Sequence, residues 1–133
     1  MCGIAGKVGN NAGFHASIES AVNSISHRGP DEQGYFVAPG VELGIARLAI
    51  IDVKHGQQPK KVSSEDITIV FNGEIYNHLE IRREILAHRN FKSSGDTETV
   101  LYAYIEYGVA IFEKLNGIFA FAIFDNQTKD FFF

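Results

Sequence analysis

Apolar residues recur along this chain with two different periods. Ile18, Ala21, Val22 and Ile25 fall at helical spacing, which predicts a helix over 15–26 with one buried stripe. Ile81, Ile85 and Leu86 repeat the pattern after Asn77, with Arg82, Arg83 and Glu84 on the solvated side. Val100, Leu101, Tyr104 and Ile105 give a third buried stripe that stops at Gly108, and a short helical stretch follows at about 109–114. Asn77 is expected to cap the second helix, and Asp96 or Thr97 the third. Shorter apolar runs rich in β-branched and aromatic residues predict strands at 2–8, 35–37, 41–51, 67–71 and 118–124. The run at 118–124 is unbroken, as in a strand covered on both faces, and 131–133 reads as the start of its hairpin partner after a turn at 125–130. Loop chemistry occupies 10–13 and 27–34, where Pro30 breaks the chain and Arg28 is placed to pair with Asp31. A turn at 56–59 leads into a polar loop at 60–66.

Composition narrows the partners more than the fold. A chain of 133 residues has one domain's worth of surface and buries about two-thirds of it on folding. The net charge of −4 disfavours nucleic acid or an anionic membrane as the main partner. One cysteine excludes an internal disulfide. No apolar run reaches membrane-spanning length, and the five histidines lack metal-ligand spacing. A cytoplasmic protein without a metal is the expectation.

Against this ordinary background, three features carry chemistry. Cys2, the single cysteine, becomes the first residue when the initiator Met1 is removed. Its free α-amine would then titrate at about 7.7–8.0 and its thiol at about 8.5, so one residue holds a nucleophile and a base. The alternative is a small buried hydrophobe. Arg47 interrupts a nearly continuous apolar run, which is costly unless the guanidinium is paired. It forms either a structural ion pair or a bidentate clamp for a ligand carboxylate. Asn72-Gly73 reads as a hairpin turn; an amide donor beside an unhindered N–H at a strand end also suits an oxyanion hole.

MCGIAG at 1–6, SHRGPDEQG at 26–34, ARLAIID at 46–52, FNGEIYNH at 71–78, SGDTE at 94–98 and LNGIFAFAIFD at 115–125 together span the chain. In this order and spacing they resemble the class II, N-terminal-nucleophile glutamine amidotransferase domain, most closely the glutaminase domain of glutamine-hydrolysing asparagine synthetase. The resemblance implies an α+β fold, a four-layer αββα sandwich of two antiparallel sheets between helices, with Cys2 at the end of a central strand. It implies one domain over 1–133, incomplete at its C-terminus, with a C-terminal synthetase domain absent. It also implies roles. Cys2 would attack the side-chain amide of glutamine and form a γ-glutamyl thioester. Asn72 and Gly73 would form the oxyanion hole, Arg47 would hold the α-carboxylate, and Asp96 would receive the α-ammonium. Glu74 and the backbone around Ile50 and Ile51 would complete the pocket, while Arg28 is given no contact with substrate.

The same resemblance implies no cofactor in this domain, with ATP and magnesium expected only for the synthetase domain, which would accept the ammonia. Ala46 precedes Arg47, and Ala49 stands where a hydroxyl residue is common; neither change removes a catalytic group. The incomplete sheet edge ending at 131–133 is expected to favour self-association. The competing expectation is a catalytically silent remnant or interaction module that keeps the fold.

Overall fold

The computed structural model describes residues 1–9 and 17–133. The loop expected at 10–13 and the start of the helix expected from His15 lie outside the described residues. The first sheet is antiparallel with the order β1–β3–β2, from β1 (Gly3–Val8), β2 (Glu32–Ala38) and β3 (Val41–Arg47). The second, also antiparallel, has the order β4–β5–β6–β7, from β4 (Lys60–Val62), β5 (Ile67–Ile75), β6 (Gly117–Asp125) and β7 (Phe131–Phe132). Helix α1 is Ile18–Ser24, α2 is His78–Ile85 and α3 is Asp96–Tyr107.

Side-chain alternation sorts these elements into four layers. On β3, Val41, Leu43 and Ile45 point toward the second sheet and meet Val70, Ala122 and Phe124. Ala46 lies on the opposite face and packs against Ile18 and Val22 of α1. On β5, Ile67, Ile69, Phe71 and Ile75 face α2 and α3, where Ile81, Leu86, Val100 and Leu101 are buried. The order is therefore α1, first sheet, second sheet, then α2 with α3: a mixed α+β, αββα sandwich. Asn72 follows Val70 by two residues and so shares the face that meets the first sheet.

Several expectations change, each for a local reason. β3 ends at Arg47 rather than running to 51, because the guanidinium holds the Ile51 and Asp52 carbonyls and folds the chain back. Within the expected polar loop, Lys60–Val62 pairs with β5 as an edge strand carrying lysines. β2 starts earlier than expected, at Glu32, after a 3₁₀ turn over Ser26–Arg28. Arg28 and Asp31 do not pair, because Arg28 donates to the Cys2 carbonyl and Asp31 accepts from the Ala49 N–H. β5 passes straight through Asn72-Gly73, which forms no hairpin turn, since β6 pairs with it as far as Ile75 opposite Gly117.

Asn77 does occupy the cap position of α2, but no side-chain cap forms at the start of either α2 or α3. Asn77 spends its side chain on the Asn116 N–H and Lys114 carbonyl, and Gly95 occupies the cap position of α3. Arg82 is half-buried rather than solvated. β6 is buried on both faces only at Ala122, Ile123 and Phe124, because a groove between the sheets leaves Ala120 uncovered. β1, which follows Cys2, lies at the edge of its sheet rather than the centre, since β3 is its single described neighbour.

Candidate active site

Cys2 sits at the entrance to β1, half-buried, with its thiol against the first residue beyond β3. The Leu48 N–H donates to Sγ at 3.3 Å. Arg28 Nε donates to the Cys2 carbonyl at 3.1 Å and so fixes the backbone of the same residue. The thiol opens onto a cavity of about 370 Å³, and each residue expected to act lines that cavity. Arg47, Ile50 and Ile51 form one wall. Asn72, Gly73 and Glu74 form a second, and Asp96 closes a third.

The second wall is the exposed edge of β5. Successive N–H groups of an antiparallel strand point to opposite edges. The Tyr76 N–H reaches the Asn116 carbonyl on the β6 side, so those of Phe71, Gly73 and Ile75 point away from β6. On that side β4 has ended at Lys60, opposite Ile69. The Phe71 N–H donates to Gln58 Oε1 at 2.6 Å, and the Ile75 N–H to Asp96 Oδ2 at 2.8 Å. The Gly73 N–H between them faces the cavity. Gly73 has φ +147°, which a residue with a Cβ rarely adopts, and a Cβ there would overlap the Ile118 carbonyl. The Asn72 amide lies next to it, with Oδ1 buried and without a partner among the described residues.

Arg47 is 4% exposed and forms the structural ion pair that is one of the two readings offered by the sequence. It pairs with Glu32 Oε2 at 2.6 Å and donates from the other nitrogen to the carbonyls of Ile51 at 3.3 Å and Asp52 at 3.0 Å. A guanidinium has five N–H donors, so Nε and one further N–H remain for a ligand. Asp96 likewise commits one oxygen to Ile75 and keeps the other. The side chains of Ile50 and Ile51 stand largely in solvent, Ile50 at 71% exposure, so this part of the wall offers backbone rather than apolar contact.

Electrostatics tie the walls together. Asp52 Oδ2 accepts from the Ser94 N–H at 2.7 Å, and this bond, followed by those to His55, holds its carboxyl below the ordinary value despite some burial. Burial pushes the Glu98 carboxyl up, but bonds from Ser93 and Lys92, with Lys60 nearby, outweigh it and leave it lowered. Lys60, which also lines the cavity, is lowered by burial against the opposing pull of Glu98 and Asp52. Burial also lowers His78, at the start of α2, while Asp96 and Glu74 act in the opposite direction. Among the described residues, no group of three or more His, Cys, Asp or Glu side chains is placed to hold a metal ion.

A sequence profile of the glutamine amidotransferase domain matches residues 1–133. The chain belongs to this family. Glutamine-hydrolysing asparagine synthetase 1 of Bacillus subtilis is 40% identical over 96% of the chain, which spans 21% of that protein. A putative glutamine-hydrolysing asparagine synthetase of Mycobacterium tuberculosis is 38% identical over 99% of the chain, and asparagine synthetase 1 of Arabidopsis thaliana 35% over 98%, each covered to 23%. The chain thus spans under a quarter of the length of these relatives.

Within this glutamine amidotransferase domain, sequence reasoning missed three supports of the site. Arg28 holds the Cys2 carbonyl, and its signal was the arginine of the HRGPD stretch. Glu32 neutralises Arg47, and it stands directly opposite Arg47 in the β2–β3 register. Gln58 holds Phe71; only its neighbouring Pro59, which lacks an N–H, hints that a strand must end there.

Proposed function

We propose that this domain hydrolyses glutamine to glutamate and ammonia through a γ-glutamyl thioester on Cys2. With Met1 removed, the α-amine of Cys2 takes the thiol proton, directly or through a water, and Sγ attacks the side-chain carbonyl carbon of glutamine. The tetrahedral oxyanion accepts from the Asn72 amide and the Gly73 N–H. Collapse breaks the C–N bond, and the protonated α-amine returns its proton to the departing ammonia. A water then cleaves the thioester, releasing glutamate and restoring the thiol. Arg47 takes the α-carboxylate on its uncommitted N–H groups, Asp96 takes the α-ammonium, and Glu74 with the backbone at Ile50 and Ile51 closes the pocket.

The observation that carries this reading is the edge of β5. Its N–H groups are taken by Gln58 and Asp96 on either side of Gly73, leaving one donor facing the cavity that holds the Cys2 thiol. The chemistry uses side chains, the backbone N–H of Gly73, the α-amine and water. The ammonia acceptor is proposed to be a synthetase domain or subunit like those in the relatives' names, and the compartment the cytoplasm. No described helix is long and apolar enough to cross a membrane.

The test is covalent labelling. Treating the protein with a diazoketone analogue of glutamine should place one adduct on an N-terminal Cys2, located by mass spectrometry, and abolish ammonia release. Retained Met1 with no adduct refutes the proposal, as does a Cys2→Ala protein that still releases ammonia.

A further inference from the structure

We propose that Gln58 is a positioning residue for the glutaminase chemistry: its side-chain amide replaces a missing strand partner and fixes the part of β5 that presents Asn72 and Gly73 to Cys2. This role rests on the glutaminase reading above.

The β4–β5 ladder ends at Lys60, and the residue before it, Pro59, has no N–H to extend it. Phe71 therefore has no strand partner on that edge. Its backbone is nevertheless fully engaged. The Phe71 N–H donates to Gln58 Oε1 at 2.6 Å, and Gln58 Nε2 donates to the Phe71 carbonyl at 3.1 Å. A carboxamide offers a carbonyl and an N–H in one plane, the same pair that a peptide group offers. It thus closes the double exchange of a hydrogen-bonded antiparallel pair.

Two further contacts hold the amide's own position. Gln58 Nε2 lies 3.4 Å from Thr97 Oγ1, next to Asp96 on α3. The backbone carbonyl of Gln58 packs so closely on β2 that a Cβ on Gly34 would overlap it. Gln58 therefore spans β2, β5 and α3 at the residue immediately before Asn72.

Oxyanion donors act only when they lie within hydrogen-bond distance of the position the charge will occupy, and a misplacement of about 1 Å can cost about 10²-fold in rate. Loss of the Gln58 amide frees the buried Phe71 N–H and carbonyl to seek other partners and lets the following two residues shift. The effect falls on the transition state and not on glutamine binding, because the proposed α-carboxylate and α-ammonium contacts come from other elements.

The experiment uses the full chain with Gln58→Glu and Gln58→Met, reading kcat and KM for ammonia release alongside thermal midpoints. Gln58→Glu keeps the acceptor for the Phe71 N–H but places a carboxylate against the Phe71 carbonyl; protonation restores a donor there. The expected result is a folded variant whose kcat falls roughly 10- to 100-fold with KM within about threefold of wild type. Its kcat relative to wild type should recover as pH is lowered from about 8 toward about 5.5, since burial raises a carboxyl's pKa. Folded variants with wild-type kcat, a loss confined to KM, or a ratio flat with pH would overturn the role. If Gln58→Met does not fold, the pH dependence of Gln58→Glu still decides. A wild-type chain that releases no ammonia refutes the glutaminase reading itself, whereas wild-type activity with indifferent Gln58 variants refutes the positioning role alone.

Discussion

Replacing Arg82 by Met tests how the loop that carries Asp96 is held. Arg82 Nε donates to Thr99 Oγ1 at 2.6 Å, and its other nitrogens donate to the carbonyls of Ser93 at 2.9 Å and Gly95 at 2.5 Å. The guanidinium also lies 3.9 Å from the centre of the Phe91 ring. Ser93 and Thr99 are buried, so their acceptors would be stranded at about 1–3 kcal/mol each, while the half-exposed Gly95 carbonyl can return to water. The cation–π contact adds about 1 kcal/mol. Against this, partly burying the charge is itself costly, as the lowering of its pKa by burial indicates, and methionine retains the packing of the stem. The net expectation is a loss of about 3 kcal/mol, which at an m-value of about 2 kcal/mol/M moves the urea midpoint by roughly 1.5 M. Arg82→Lys should lose nearly as much, because one ammonium cannot reproduce a fork spread over three acceptors. A midpoint within about 0.3 M of wild type at unchanged m would show Arg82 to be an ordinary solvated arginine and refute the account.

Asn72→Ala should lower kcat about 10²- to 10³-fold, or about 2.7–4 kcal/mol. The same change should leave unfolding free energy unchanged or slightly higher, because it removes the unpartnered buried Oδ1; a clear loss of stability would contradict this. Gly73→Ala should destabilise by at least about 2 kcal/mol, since φ +147° and the Ile118 carbonyl both exclude a Cβ, and a calorimetric midpoint equal to wild type would disprove it. His78 is half-buried, with its Nδ1 itself buried and without a partner among the described residues, and burial lowers its pKa from 6.5, so the unfolded state binds its proton more readily. Its stabilising contribution is full above about pH 6.5 and declines as pH falls toward the lower folded value. Thermal midpoints of His78→Asn should therefore vary less with pH than wild type below 6.5, and parallel curves would exclude the effect.

The elements whose residues obey one period were legible in the sequence. Ile81 and Leu86, or Val100, Leu101 and Tyr104, bury the stripe that their spacing marks. Arg47 was visible as a charge in an apolar run, and the motifs that mark the family as a set. What local rules missed was the choice of hydrogen-bond partner. Asn77 is a good cap by type, yet Asn116 claims its amide across the fold. Asp96 suits a helix start, yet β5 needs an acceptor at Ile75 where no strand supplies one. Lys60–Val62 has no alternating pattern because an edge strand buries little. For Asn77 and Asp96 the deciding partner is distant in sequence, and a window of a dozen residues cannot contain it.

The three acceptors around Arg47 also have a consequence for ligand affinity. A free arginine side chain carries about 2 kcal/mol of rotamer entropy, and ordering such a side chain on association costs about 0.5–1.5 kcal/mol. Glu32 and the carbonyls of Ile51 and Asp52 have already removed that freedom during folding. A carboxylate of the proposed substrate would meet an immobile cation, so its binding free energy would not be spent on stilling the receptor.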